Sequence, residues 1–94
     1  RNMVKARIFL SVYGTGDSAI RDAPFEVDSD ETVLGLLERL DALGMLPKRF
    51  GEEKDYLDLL VFVNHKNVAV RPGFDKKPLA EGDKVIILQA AAGG

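Results

Sequence analysis

The chain has 94 residues, 46% hydrophobic and 30% charged, which suits one globular domain with a single core and is too short for two. A net charge of −2 and a pI near 5.3 supply no global field toward nucleic acid or an anionic membrane. The absence of cysteine excludes disulfides, thiolate metal sites and a cysteine nucleophile, and it suits a reducing compartment.

No apolar stretch approaches the roughly 20 residues of a membrane span. The apolar residues near the start alternate with Lys5 and Arg7, unlike the continuous core of a secretory leader. Met3, after Arg1-Asn2, is the expected natural start, and the cytoplasm is the expected compartment.

From Val4 to Tyr13 the sequence has period two. Val4, Ala6, Ile8, Leu10 and Val12 face one way, and Lys5, Arg7, Phe9, Ser11 and Tyr13 the other, as in a strand with one buried face. Phe9 is the odd member of the polar set. Gly14-Thr15-Gly16-Asp17 is turn chemistry; it lacks the third glycine, the lysine and the helix of a phosphate loop. Ala23 to Asp28 reads as a second strand with Pro24 near its start, suited to an edge. Asp28-Ser29-Asp30 offers helix N-caps, and Glu31 places a negative charge at the expected first turn. Val33, Leu36, Leu37, Leu40 and Leu43 follow at helical spacing, with Glu38, Arg39 and Asp41 opposite, and Gly44 is placed to end the helix. Gly35 inside it marks an expected close approach to the sheet.

Met45 to Tyr56 reads as irregular, with a helical turn expected around Pro47 to Phe50 and with Met45, Leu46 and Phe50 over one end of the core. Leu57 to Asn64 is the next strand, Asn64-His65-Lys66-Asn67 a tight turn, and Val68 to Val70 a brief strand ended by Arg71-Pro72-Gly73. Asp75 to Leu79 is expected to form a single turn before Glu81-Gly82-Asp83 leads into the last strand, Lys84 to Gln89. The adjacent basic pairs Lys48-Arg49 and Lys76-Lys77 read as solvated loop charges.

This order predicts a two-layer α+β domain, because one helix covers only one face of a sheet. A last strand parallel to the first completes a β-grasp (ubiquitin-like) arrangement. It is a mixed five-stranded sheet with one main helix on one face, spanning residues 1–89, followed by a tail of residues 90–94. The first and last strands are central, in keeping with their apolar density.

On the uncovered face the alternation places residues that water does not favour. If Val85, Ile87, Val61 and Val63 point inward, then Phe9, Leu60, Phe62, Ile86 and Leu88 form one apolar patch on the other side. Contiguous patches of this kind mark partner surfaces. Two alternatives stand beside this reading. A one-residue slip in register exchanges the faces, or the Met45–Tyr56 segment folds over the patch.

The tail Ala90-Ala91-Ala92-Gly93-Gly94 carries nothing larger than a methyl group. A terminal glycine carboxylate is unhindered and enters a narrow channel, where ATP can activate it as an acyl-adenylate for a sulfur or amine nucleophile. The chain holds no phosphate loop and no metal cluster for this, and its one histidine, His65, sits in a hairpin turn. A carrier or co-substrate is therefore expected, not an enzyme.

Leu79-Ala80-Glu81-Gly82-Asp83-Lys84-Val85-Ile86-Ile87-Leu88, followed by Ala92-Gly93-Gly94, resembles the end of the MoaD/ThiS family of ubiquitin-like sulfur carriers. The resemblance extends to Val63-Asn64 and to the strand–strand–helix opening, and the length is nearer the MoaD type. It implies a MoeB/ThiF-like adenylyltransferase that consumes ATP at Gly94. It also implies a thiocarboxylate on the Gly93-Gly94 end and a sulfur-accepting synthase subunit, most readily in molybdopterin-type biosynthesis. It implies Phe9, Leu60 and Leu88 near the docking surface, to which alternation adds Phe62 and Ile86. No bound cofactor, metal, nucleic acid or membrane is implied, and the free protein is expected to be a monomer. Gln89-Ala90-Ala91-Ala92 differs from the proline-containing approach common in the family, so the acceptor enzyme stays open. Two other readings remain: a ubiquitin-like modifier joined to lysines through Gly94, and an interaction domain whose glycines are incidental.

Overall fold

The computed structural model describes residues 4–14, 19–50, 56–70 and 76–89. Two nine-residue strands, β1 (Lys5–Tyr13) and β2 (Ile20–Asp28), form an antiparallel pair, and the helix α1 (Val33–Ala42) follows. After a short 3-10 turn at Tyr56–Asp58 come β3 (Leu59–Val63), β4 (Lys66–Asn67) and β5 (Lys84–Gln89). The sheet order is β2-β1-β5-β3-β4, with β5 parallel to β1 and antiparallel to β3. This is the β-grasp arrangement, a mixed five-stranded sheet with one helix.

The alternation in β1 and β5 decides which face is dry. Ile8, Leu10, Val85, Ile87 and Val61 are wholly buried in one cluster with Leu36, Leu37 and Leu40 of α1. Fully burying each such side chain contributes about 1.5–3 kcal/mol, so this shared cluster is the main attachment of helix to sheet. Pro24 lies on the edge strand β2, where its missing N–H costs no ladder bond.

The helix ends differ in how closely they follow the sequence reading. Its N-cap is Thr32, whose Oγ1 accepts the Gly35 N–H at 3.2 Å; Asp28-Ser29-Asp30 lie upstream, and no acid occupies the first turn. The start is set by tertiary pairing. Thr32 bridges to Pro78, and the Leu79 N–H donates to the Glu31 carbonyl at 2.7 Å. At the other end Gly44 has φ +72°, its N–H donates to the Asp41 carbonyl, and the Met45 N–H donates to the Leu40 carbonyl. That is a Schellman closure, which needs a left-handed residue and finds glycine there. A Cβ on Gly35 would meet Thr32 Oγ1 at 3.5 Å and then Glu31, not the sheet, so the expected close approach is not its role.

Three other boundaries move. β2 begins at Ile20, before the expected Ala23, and a bulge lies between Leu10 and Val12. β3 begins at Leu59 because the preceding residues are wound into the 3-10 turn that takes Tyr56 into the core. The hairpin after it is tighter than expected. Asn64 and His65 both have positive φ, as a two-residue type I′ turn requires, so Lys66 and Asn67 pair with Val63 and Phe62 instead of belonging to the turn.

Met45, Leu46 and Phe50 pack against the core, as expected, but residues 46–48 form a bend and not a helical turn. Asp41 is buried, and its carboxylate accepts the Phe50 N–H at 3.1 Å. Tyr56, 2% exposed, meets Phe50 edge-on at 4.9 Å between ring centroids. Its hydroxyl has no hydrogen-bond partner among the described residues. Burial, and then the negative charges of Asp41 and Glu38, raise its phenol above the usual tyrosine value. The readings of Thr15-Gly16-Asp17, of Arg71-Pro72-Gly73 and of Asp75 fall outside the described residues.

Candidate functional site

Register places the five patch residues on one face of three adjacent strands. Ile86 stands opposite Phe62, and Leu88 opposite Leu60, on β5 and β3; Phe9 stands opposite Lys84 on β1 and β5. Their sequence neighbours Val85, Ile87, Leu59 and Val61 are buried on the helix side, so the register is the expected one. Met45, Leu46, Phe50 and Tyr56 pack on the core at the opposite side of the sheet and do not cover the patch. Residues 51–55 lie outside the described set.

The face is graded. Leu60 is 40% exposed, while Phe9, Phe62, Ile86 and Leu88 are half-buried among their cross-strand neighbours. Completing the burial of Leu60 alone is worth about 1 kcal/mol, the exposed fraction of a full leucine transfer. The four half-buried side chains add smaller amounts each, enough together for an anchor when a partner excludes water from all five.

Two members of the face were not singled out in the sequence. Tyr13 stands opposite Leu88 and extends the apolar surface toward the end of β5. Its signal was the period of two that runs from Phe9 through Ser11 to Tyr13, which the polar count of its hydroxyl concealed. Ser11 stands opposite Ile86 and is buried, its Oγ accepting the Asp22 N–H at 2.9 Å. Lys84 bounds the face at the start of β5, so the apolar surface is concentrated toward Leu88.

The segment that carried the family resemblance has a local structural explanation. Ala80 to Asp83 is a turn closed by the Asp83 N–H on the Ala80 carbonyl, with Gly82 at φ +85°. The Asp83 carboxylate accepts the Ala80 N–H at 2.8 Å and the Asn64 Nδ2 at 2.9 Å. The Asn64 side-chain oxygen in turn accepts the Lys84 N–H at 3.0 Å. This clamp ties the β3–β4 hairpin to the start of β5, and so sets the registers that bring Ile86 and Leu88 beside Phe62 and Leu60. The Gly82 N–H also donates to the Arg7 carbonyl, locking β5 against β1.

Gly93 and Gly94 lie outside the described residues, which reach Gln89. Gln89 pairs with Leu59, one residue from the Leu60–Leu88 pair, so the last described residue of β5 stands at the apolar end of the face. Among the described residues no group of three or more His, Cys, Asp or Glu is placed to hold a metal ion, and no helix is long and apolar enough to cross a membrane. Comparison with family models, curated proteins and solved structures gave no match.

Proposed function

We propose that this domain is a sulfur carrier whose reacting group is the Gly94 carboxylate. The observation that carries the reading is the apolar face of β5, which ends at the point where the chain continues into Ala90-Ala91-Ala92-Gly93-Gly94. A partner seated on Leu60, Phe62, Ile86 and Leu88 holds the following residues beside its own surface. Five residues without bulky side chains reach about 15 Å from Gln89, far enough to enter a channel.

The chemistry divides between carrier and partner. A carboxylate oxygen of Gly94 attacks the α-phosphorus of ATP on a MoeB/ThiF-like adenylyltransferase, and pyrophosphate leaves. The terminal sulfur of a persulfide then attacks the acyl carbon and displaces AMP. A thiol cleaves the resulting sulfur–sulfur bond, leaving a thiocarboxylate on Gly94 and a disulfide. A sulfur-accepting synthase consumes the thiocarboxylate, with molybdopterin-type synthesis the leading destination. The partners supply ATP binding and the thiols, and this domain supplies the docking face and the slim acyl end.

The test is intact-mass measurement after incubation with ubiquitin-activating-type adenylyltransferases, ATP and a persulfide donor. The expected product is heavier by the exchange of one oxygen for one sulfur, and deletion of Gly94 abolishes it. Failure to form either adenylate or thiocarboxylate with any such enzyme refutes the reading. Amide adducts on lysines of other proteins, lost on deleting Gly94, would replace it with the modifier reading.

A further inference from the structure

A concavity lies away from the open face, beside the β3–β4 hairpin and the start of α1. It is a cleft of about 280 Å³. Val33, Val63, Val68 and Leu79 supply its apolar lining, and Lys66 and Lys77 also line it. Val33 and Leu79 are themselves buried, so the lining is anchored in the core.

Its charge is net positive, two lysines against one carboxylate. Lys66 and Lys77 are exposed and have no ion pair among the described residues. Asp83 also borders the cleft and keeps its negative charge, but its two carboxylate oxygens are turned to the Asn64 Nδ2 and the Ala80 N–H, which leaves the two lysines as the groups open to a ligand. The first turn of α1 opens at Val33 and adds the positive end of a ten-residue helix. An apolar floor under free cations is complementary to an apolar side chain flanked by carboxylates. The volume is below the roughly 300–1,000 Å³ of small-molecule pockets, so it admits one or two side chains and not a cofactor.

We propose that this cleft docks an apolar side chain carried between acidic residues of a partner protein. The site shares no residue with the open face and does not depend on the chemistry at Gly94, so a partner can occupy both surfaces at once.

The experiment is a nitrogen-labelled amide spectrum of the full chain, titrated with an acetylated, amidated peptide bearing one leucine between two pairs of glutamates. Expected are saturable shifts at the Val63, Val68 and Leu79 amides, with Ile86 and Leu88 unmoved. Lys66→Glu with Lys77→Glu weakens binding by about ten-fold or more, in line with two partly exposed ion pairs removed and reversed. Replacing the peptide's leucine with alanine abolishes the shifts. Should the double reversal disturb the spectrum away from the cleft, Lys66→Ala with Lys77→Ala still lowers affinity several-fold. The proposal is overturned by an absence of shifts, by equal shifts with a lysine-flanked peptide, or by shifts centred on Ile86 and Leu88. Isovalerate binding as tightly as the peptide would also overturn it, in favour of a small carboxylate.

Discussion

Replacing Tyr56 with phenylalanine should stabilise this protein, and the size of the gain is set by one hydroxyl. The ring is 2% exposed and packs edge-on against Phe50, contacts that Tyr56→Phe retains. The hydroxyl has no partner among the described residues, and burying a polar group unpaired costs about 1–3 kcal/mol. Removing it leaves a small void that takes back part of this, so the net gain expected is about 1 kcal/mol. For a domain of this size that raises the thermal midpoint by roughly 4–8 °C. The linkage has a definite sign. Tyr56 is raised above its ordinary value of 10.0, first by burial and then by Asp41 and Glu38. Its neutral form is favoured in the folded state, so stability is fully present below pH 10 and falls as the pH rises through the unfolded and then the folded value. The wild type should therefore lose stability above that pH faster than Tyr56→Phe. Calorimetry and urea unfolding at neutral and alkaline pH measure both effects. A midpoint unchanged or lowered in the variant, or parallel alkaline profiles, would refute the reasoning.

Gly35→Ala should stabilise by about 0.5–1 kcal/mol in urea unfolding, because the new methyl meets Thr32 Oγ1 at an ordinary 3.5 Å inside a helix. Gly44→Ala should cost about 1–2 kcal/mol by the same assay, since φ +72° strains any residue with a Cβ even though space is open there. Asp83→Ala removes the acceptor for two hydrogen bonds and should cost about 1–2 kcal/mol, with amide exchange accelerating at Ala80 and in the Asn64 turn. Leu60→Asp changes an already exposed position and should leave the thermal midpoint within a few degrees. The same substitution should sharply reduce AMP formation by an activating enzyme, and unchanged AMP formation would remove the open face from the docking site.

The legible parts of the fold are those decided by side-chain period. Both faces of β1 and β5 and the outward set Phe9, Leu60, Phe62, Ile86 and Leu88 follow from alternation, and Val33, Leu36, Leu37 and Leu40 of α1 from helical period; Leu43, expected in that stripe, is exposed as the C-cap, and Asp41, expected opposite, is buried. The misplaced features are those decided by distant partners. Several capping residues run from Asp28 to Thr32, and local chemistry does not choose among them; Thr32 is selected because Pro78 and Leu79 pair there. The turn at Asn64 was legible but not its length: Asn64 and His65 both accept the positive φ observed, +51° and +73°, while Lys66 and Asn67 carry no strand signal and pair only because β3 lies opposite. The turn is held by the Asn64–Asp83 bond across the chain. Tyr13 was missed at the site because period two places it on the open face while its hydroxyl places it among polar residues.

The strongest link between fold and function is the double-sided apolar character of β5. Val85 and Ile87 are explained by α1, since a central strand must present apolar groups to the helix layer. Ile86 and Leu88 have no such explanation, because no described segment covers their side of the sheet. The same face of β1 shows that a polar solution was available. Lys5 and Arg7 stand there opposite Asp28 and Glu26, and Lys5 Nζ bonds the Asp28 carboxylate at 2.6 Å. The change from charged pairs at that end to Phe9, Tyr13, Ile86 and Leu88 at the other follows the direction of β5 toward Gln89. Folding requires only the inner set, and the outer set is what the proposed carrier reading uses as its docking face. Its grading toward the end of β5 puts the apolar end of that face beside Gln89, the last of the described residues.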